Sequence, residues 1–181
     1  MAVKKQWYEI KAPELFGGKT IGETPSMDLR KIGGRVIEVN LMELERNYRR
    51  FFIKLKFRII GENQGVLETE FIGHSTMNER VYKMVQRRSR RVDAIENVET
   101  KDGQKSRLKV ILIIDGRVNT TIKKAVRKKT GEIIAEIAGK SKFRDFINDV
   151  ISGKVNETII KDMKKVYPCS DVEIRASKIM K

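Results

Sequence analysis

Four arginines stand within five residues of one another, at Arg87, Arg88, Arg90 and Arg91. Neighbouring like charges on a helix repel by roughly 0.3 kcal/mol per pair. Such a cluster is therefore expected mainly where a polyanion binds the arginines and neutralises their charge. The planar guanidinium group binds phosphate oxygens in pairs, which makes a nucleic-acid backbone the ligand that this cluster fits. A solvated helix end is the structural alternative, because basic side chains complement the negative pole of the helix dipole.

The segment before the arginines predicts the element that carries them. Val81, Met84 and Val85 recur at i, i+3 and i+4, the spacing of an apolar stripe on a helix. The positive charge then continues beyond the cluster. Residues 80–130 contain 16 Lys and Arg against 5 Asp and Glu, which is +11 of the chain's net +15. Such a concentration favours an anionic partner, above all nucleic acid.

Residue types that carry catalysis or bind metal are not grouped along the sequence. His74 has no nucleophile or carboxylate at a local spacing that would make it a general base. One histidine and one cysteine, Cys169, cannot form a zinc site of the usual kind. The acidic residues form no paired motif. We therefore expect no catalytic residues, no metal, no cofactor and no small-molecule substrate, and we predict that the protein is not an enzyme.

Length and composition limit the class of protein further. With 181 residues, 35% of them charged, the chain is long enough to bury a core, and we expect a single RNA-binding domain over residues 1–181. No apolar run approaches the ~18 residues of a membrane span, so no membrane partner is expected. The first residues lack the apolar region of a secretory signal, and this predicts a cytoplasmic protein.

Two long hairpins dominate the predicted strands. Residues 51–59 alternate apolar and basic side chains, and the chain returns from the turn at Asn63–Gly65 with a second alternating strand. Residues 91–101 and 104–114 flank the turn pair Asp102–Gly103 and form the second hairpin. In both hairpins one face is apolar, and the other face is basic with few balancing acids. Ordinary solvation of an antiparallel sheet is the alternative explanation.

The period becomes helical beyond residue 116. A helix from about Thr120 to Ala138 is expected to be interrupted or kinked near Gly131. Phe143 to Ile151 gives the clearest amphipathic pattern, and Asn156 is predicted to cap the next helix. A last strand follows. The predicted fold is α+β, with an antiparallel, barrel-like sheet of two long hairpins plus shorter strands and with helices mainly in the C-terminal third.

The candidate RNA-binding residues are the basic side chains of the first hairpin, the arginine cluster, the second hairpin and the first half of the long helix. They are Arg50, Lys54, Lys56, Arg58, Arg87, Arg88, Arg90, Arg91, Lys105, Arg107, Lys109, Lys123, Lys124, Arg127, Lys128 and Lys129. Few aromatic side chains are expected on the surface, which favours recognition of RNA backbone and shape over stacking on single strands.

Several motifs resemble those of one protein family. The stretch Gly34–Leu44, GRVIEVNLMEL, is similar to the signature of the ribosomal S3Ae (S1e) family, with Asn40 where serine or cysteine is usual and Glu43 where aspartate is usual. The WY..KAP opening at Trp7–Pro13 also resembles the family. So do its helix, YP and DV.IR elements, at Ile160, Lys161, Tyr167, Pro168, Asp171, Val172 and Arg175. The resemblance extends over essentially the whole chain.

This resemblance implies a structural, non-catalytic protein of the small ribosomal subunit in archaea and eukaryotes. It implies a place on the platform near the mRNA exit, with ribosomal RNA, neighbouring platform proteins and mRNA near its exit as partners. The long basic extensions of eukaryotic members are absent from this sequence, so contacts made by those extensions are not expected. Three alternatives stay open at this point: a free RNA-binding translation factor, an RNA-processing enzyme, and a protein-interaction module using the outer face of the Phe143 helix.

Overall fold

The computed structural model describes residues 5–28, 32–45 and 48–180, and within them the chain forms eight strands and five α-helices. The predicted α+β class and the C-terminal placement of the helices are confirmed. The chain divides into two compact units, residues 1–74 and 75–181. The expectation of a single domain stays a prediction. No helix in the described part is long and apolar enough to cross a membrane.

The first unit is a small mixed sheet. Its elements are β1 (Gln6–Lys11), β2 (Thr20–Ser26), β3 (Val36–Asn40), α1 (Leu41–Glu45), β4 (Ile53–Asn63) and β5, which begins at Val66 and ends at Thr76. The strands pair in the order β2-β1-β5-β4-β3, and β1 runs parallel to β5. Within the described residues this sheet is open, with β2 and β3 at its edges, so the predicted antiparallel barrel is not confirmed.

The first predicted hairpin is confirmed as β4 and β5. Gln64 and Gly65 both have positive φ, 53° and 83°, as a two-residue type I′ turn requires. The alternation of β4 buries Ile53, Leu55, Phe57 and Ile59. Phe57 packs against Phe71 of β5 and against Phe16, with ring centroids 6.0 Å and 5.4 Å apart. These aromatic contacts form the centre of the unit's core.

The stretch Gly34–Leu44 forms the strand β3 and most of the helix α1 that follows it. Gly34 takes a φ of 85°, and its N–H donates to the carbonyl of Ile59 at 2.9 Å. The strand β3 ends at Asn40, whose side-chain oxygen accepts from the N–H of Met42 at 3.1 Å. Serine and asparagine share this ability to cap the start of a helix. Asn40 therefore keeps the chemistry of the serine that it replaces in the motif.

The second unit is an antiparallel sheet with helices. Its elements are α2 (Asn78–Met84), β6 (Ser89–Glu99), β7 (Lys105–Asp115), α3 (Thr120–Lys140), α4 (Phe143–Ser152), α5 (Lys154–Met163) and β8 (Cys169–Met180). The strands pair in the order β6-β7-β8. The second predicted hairpin is confirmed by β6 and β7, which the turn at residues 100–104 connects. The apolar face predicted for this hairpin is buried, with Leu108, Val110, Leu112 and Ile114 of β7.

The long helix α3 packs against β6, and the predicted interruption near Gly131 is wrong, because α3 is continuous from Thr120 to Lys140. Gly131 lies within this helix, at about 1 kcal/mol of helix propensity relative to alanine. A Cβ atom at Gly131 would stand 2.8 Å from the carboxyl carbon of Glu96 on β6, which is the end of a flexible side chain that can move aside. The helix therefore lies close to β6 at this point.

The two short helices end and begin at Gly153. The predicted amphipathic helix is confirmed, because Phe146, Ile147, Val150 and Ile151 of α4 are buried. Gly153 follows with a left-handed φ of 88°, which is typical of the residue after a helix end. The prediction that Asn156 caps α5 is wrong. Asn156 is buried inside the first turn of α5, and its amide donates to the carboxylate of Glu173 on β8 at 3.1 Å.

Candidate nucleic-acid interface

The four clustered arginines lie on a turn and a strand, and this corrects the expected helix end. The helix α2 ends at Met84, and Val85 is 42% exposed rather than part of the apolar stripe. Arg87 and Arg88 occupy the turn before β6. Arg90 and Arg91 are the second and third residues of β6, where successive side chains point to opposite faces. The cluster therefore spreads around the start of a strand.

Packing and ion pairs fix α2 in front of this turn. Its buried residues Val81 and Met84 contact Ile111 and Ile113 of β7. A guanidinium nitrogen of Arg80 lies 2.9 Å from a carboxylate oxygen of Asp171 on β8. Two further contacts join α2 to β8. Arg80 Nε lies 3.6 Å from Glu173 Oε2, and Arg175 donates to Asn78 Oδ1 at 3.5 Å.

Local hydrogen bonds hold the arginine turn itself. The hydroxyl of Ser89 donates to the carbonyl of Gln86 at 2.7 Å and accepts from the N–H of the same residue at 3.0 Å. The carbonyl of Arg88 accepts from the N–H of Gly116 at 3.0 Å. Arg88 has a φ of 72°, which is uncommon for a residue with a side chain. The turn thus presents Arg87 and Arg88 from a defined backbone.

One member of the cluster pairs with an acidic residue of its own strand. Arg91 Nε donates to a carboxylate oxygen of Asp93 at 2.8 Å. Arg127 of α3 reaches the same residue and donates to the backbone carbonyl of Asp93 at 2.9 Å. Asp93 therefore connects the strand arginine with the basic helix.

The exposed face of β7 carries a row of basic side chains at alternate positions, Lys105, Arg107 and Lys109. The register places Lys178 of β8 directly opposite Arg107, and we call these four residues the outer sheet surface. Arg107 Nε donates to the amide oxygen of Asn97 on β6 at 2.8 Å, so a neutral group orients the guanidinium. Like charges directly opposite one another destabilise a sheet. A surface that binds an anion is expected to have such a pair, because the bound anion relieves the repulsion.

Lys178 was missed by the sequence prediction. The end of β8 around Lys178, ASKIM, has no basic alternation, and the basic neighbours of Lys178 are seen only in the pairing of β7 with β8. A hairpin register can be read from a turn, whereas the pairing of strands more than 60 residues apart depends on tertiary structure.

The basic half of α3 lies on the other side of this sheet. Gly131 approaches Glu96, which pairs with Leu108 on the buried face of β7, opposite to the outer sheet surface. Lys124, Arg127 and Lys128 are exposed there, whereas Lys123 and Lys129 are half-buried. Lys129 also lies 3.2 Å from the carboxylate of Glu132. The structure therefore separates two sets of predicted residues onto opposite faces of the second unit.

The basic row of the first hairpin is weaker than expected. Lys54, Lys56 and Arg58 of β4 are half-buried, and Lys56 Nζ lies 2.7 Å from Glu38 of the neighbouring β3. This hydrogen bond holds the pKa of the Glu38 carboxyl below its usual value. Arg50 lies outside β4 in a 3-10 turn, Tyr48–Arg50, with its guanidinium carbon 6.0 Å from the Phe52 ring centroid. Neighbouring side chains therefore cover or neutralise part of this row.

The net charge differs strongly between the two units. Residues 1–74 carry 13 Lys and Arg against 10 Asp and Glu, a net +3, whereas residues 75–181 carry 26 against 14, a net +12. The second unit also holds the arginine turn, the outer sheet surface and the basic half of α3. It is therefore the main candidate for contact with an anionic polymer.

The structure gives two observations on the residues with reactive side chains. Among the described residues no three His, Cys, Asp or Glu side chains stand close enough to hold a metal ion. Cys169 is buried, and burial together with the nearby Asp115 carboxylate raises the pKa of its thiol to about 11. A thiol with so high a pKa is a packing group rather than a nucleophile at neutral pH.

Comparison with known proteins decides the family. The model of the ribosomal S3Ae family matches residues 2–181. The chain belongs to the ribosomal S3Ae family. Membership in this family of ribosomal proteins confirms the resemblance found in the sequence and the prediction that the chain is not an enzyme.

Individual relatives agree with the S3Ae assignment. The small ribosomal subunit protein eS1 of Sulfolobus acidocaldarius is 38% identical over 178 residues, which cover 98% of this chain and 90% of the relative. The eS1 protein of Methanobrevibacter smithii is 36% identical over 177 residues, covering 98% and 92% of the two chains. That of Methanothrix thermoacetophila is 38% identical over 176 residues, covering 97% and 83%.

The S3Ae motifs at the end of the chain have structural tasks. Asp171 and Arg175, from the DV.IR element, make the contacts of β8 to Arg80 and Asn78 of α2. Val172 between them is buried. These family residues therefore position the helix that precedes the arginine turn.

Proposed function

We propose that this protein is a structural constituent of the small ribosomal subunit in the cytoplasm, where it binds ribosomal RNA and supports translation. Membership in the S3Ae family supports the ribosomal part of this proposal. The observation that carries RNA binding is the pairing of Arg107 with Lys178 on an exposed sheet face between Lys105 and Lys109. The opposed charges of Arg107 and Lys178 are unfavourable in the isolated protein and become favourable when phosphates lie across them, whereas Lys105 lies opposite Glu99 of β6.

The proposed mode of binding is contact with the RNA backbone. Arginine and lysine side chains of the outer sheet surface, the arginine turn and α3 neutralise phosphates, and the arginines do so with paired hydrogen bonds. Since two of these basic surfaces lie on opposite faces of the second unit, they contact different RNA segments. A protein that bridges RNA segments in this way stabilises their arrangement, which is the task of a structural ribosomal protein.

The proposed location is the platform of the subunit, near the mRNA exit. Neighbouring platform proteins and mRNA close to its exit are the further partners of this proposal, which extends what the names of the eS1 relatives say. Site-specific cross-linking from cysteines placed at Arg87 and Lys178 in a Cys169→Ser background identifies these neighbours directly.

Sedimentation of cell extract tests the proposal. Subunits are separated in a sucrose gradient at low magnesium, and the protein is detected across the fractions. We expect it in the small-subunit peak, resistant to a moderate salt wash. Recovery at the top of the gradient, with RNA binding retained, identifies a free RNA-binding factor instead and contradicts the proposal.

A further inference from the structure

An exposed group of aromatic rings lies at the start of β4. The segment Tyr48–Phe52, here called the aromatic turn, consists of the 3-10 turn Tyr48–Arg50 and the two phenylalanines that follow it. Tyr48 is 72% exposed and Phe51 is 53% exposed. This differs from the expectation of few aromatic side chains on the surface. Two large rings exposed so close together exceed the scattered single residues that need no explanation.

The two exposed rings lie within one short segment. Tyr48 opens the 3-10 turn, and Phe51 is the first residue after the turn ends. The Phe51 ring contacts the half-buried Phe52 ring edge to face, with centroids 5.8 Å apart and planes 78° apart. Ile53, the next residue, is buried in the core. The Phe51 ring therefore contacts one neighbouring ring and leaves about half of its surface exposed.

The charge of this segment selects the class of partner. Among its described side chains Arg50 and Lys54 are basic, and residues 46–54 contain no Asp or Glu. An apolar protein surface gains nothing from these positive charges, whereas RNA offers both flat bases and phosphates. Stacking of bases on aromatic rings beside basic residues is the usual means of binding unpaired nucleotides.

We propose that the aromatic turn binds unpaired nucleotides of RNA by stacking bases on Tyr48 and Phe51, with the adjoining phosphates neutralised by Arg50 and Lys54. This inference rests on the proposed RNA-binding function and adds a second mode to it. The outer sheet surface binds backbone phosphates of folded RNA, and the aromatic turn holds a single-stranded element. Every base has a stacking face, so the site tolerates different base sequences.

The test compares two RNAs and two double variants of the full chain. One hairpin RNA has a loop of unpaired adenosines with one 2-aminopurine, and the other has abasic residues in the loop, so that the phosphates are unchanged. Y48L/F51L keeps apolar bulk and removes the aromatic faces, whereas Y48W/F51W keeps the aromatic faces. Thermal melts check that both variants fold, as expected for exposed positions.

We expect Y48L/F51L to bind the adenosine hairpin at least roughly tenfold more weakly than wild type, since stacking strengthens binding by that order per base. Y48W/F51W should bind as tightly as wild type. Quenching of 2-aminopurine should occur with wild type and be lost in Y48L/F51L. The abasic hairpin should not distinguish the proteins. The salt dependence should be the same for all of them, because stacking releases no counterions.

Failure of this inference is distinguishable from failure of the proposed function. Equal affinity of Y48L/F51L and wild type for the adenosine hairpin, without quenching, overturns base stacking while steep salt dependence leaves backbone binding intact. Normal RNA binding by Y48L/F51L with loss from the small-subunit peak also overturns it, and shows that the aromatic turn docks a protein. Absence of RNA binding by the wild-type protein removes both proposals.

Discussion

At the scale of single residues, the pairing of Arg107 with Lys178 lowers the stability of the sheet and favours the binding of phosphate. The two side chains lie directly opposite on β7 and β8, and both are exposed. Opposed like charges cost a few tenths of a kcal/mol in a sheet, whereas a bound phosphate converts the same pair into two favourable contacts. A residue that served folding alone would stabilise the free protein and would have no effect on RNA binding.

Lys178→Ala tests this balance. We expect the free energy of unfolding to stay constant or rise by up to ~0.5 kcal/mol, because a repulsion is removed. RNA affinity should fall, and the slope of log K against log salt should decrease by about 1, the value for one lost phosphate contact. Denaturant melts and RNA titrations measure both quantities, with the exposed Lys161→Ala as control. A clear loss of stability with unchanged RNA binding would assign Lys178 to folding.

Cys169 allows a prediction of reactivity against pH. Its thiol pKa is raised to about 11 by burial and by the Asp115 carboxylate, from 9.0 in the absence of these effects. At pH 8 roughly one molecule in a thousand then carries the thiolate, against about one in ten for the unperturbed thiol. We expect iodoacetamide to modify the native protein at least tenfold more slowly than the urea-unfolded chain.

The same shift links Cys169 to stability. The folded protein keeps the thiol proton to higher pH than the unfolded chain. The contribution of the protonated Cys169 thiol to the free energy of unfolding is therefore complete below pH 9.0 and is lost as pH rises through about 11. Modification of native protein at the rate of the unfolded chain, with the fold intact, would show that the thiol is accessible and unperturbed.

At the scale of elements, α4 is the helix whose packing is clearest. Phe146 and Ile151 are buried at 0% and 3% exposure. Replacing either residue by alanine leaves a cavity, and we expect a loss of about 2–5 kcal/mol in the free energy of unfolding. Denaturant midpoints are compared with the exposed Lys142→Ala. Midpoints equal to that control would mean that this face of α4 packs on a partner rather than on its own unit.

The elements that sequence predicted well are those set by local patterns. The hairpins follow from alternation and from turns that need positive φ, and α4 follows from its apolar spacing and Gly153. The errors arose where tertiary contacts decide. Gly131 lies inside a helix that packs on β6 and stays continuous, and the Asn156 amide donates to Glu173 instead of capping α5. The extent of α2 is limited by a turn that Ser89 and Gly116 close.

In the candidate site, too, local patterns were predicted from the sequence and features that depend on tertiary contacts were not. Lys105, Arg107 and Lys109 were found because alternation along one strand gives them a common face. Lys178 and the separation of α3 from the outer sheet surface could not be found, because they depend on which strands pair and on which face a helix covers. The aromatic turn was missed because RNYRRFF has no periodicity that distinguishes exposed from buried rings.

At the scale of the whole molecule, the charge is divided unequally, with +12 on residues 75–181 and +3 on residues 1–74. A general positive field attracts RNA from any direction, whereas specific placement of charges fixes where the RNA lies. Comparing charge reversals at different places, with equal change in net charge, separates these two effects.

Arg87→Glu with Arg88→Glu provides that comparison. Both residues are exposed on the arginine turn. We expect the melting temperature to change by no more than a few degrees and RNA affinity to fall at least roughly tenfold, because two phosphate contacts become repulsions. The control, Lys161→Glu with Lys164→Glu, alters net charge equally at exposed positions of the same unit. Equal losses of RNA affinity in both variants would show that the general field alone attracts RNA.

The salt dependence of RNA binding tests the central claim most directly. The association constant of the full chain with a small-subunit RNA fragment is measured at several salt concentrations. If the basic surfaces of residues 75–181 neutralise roughly eight phosphates, log K falls by about 6 to 7 for each unit of log salt. A slope near zero would contradict the account, because binding would then not depend on contacts between these basic side chains and RNA phosphates.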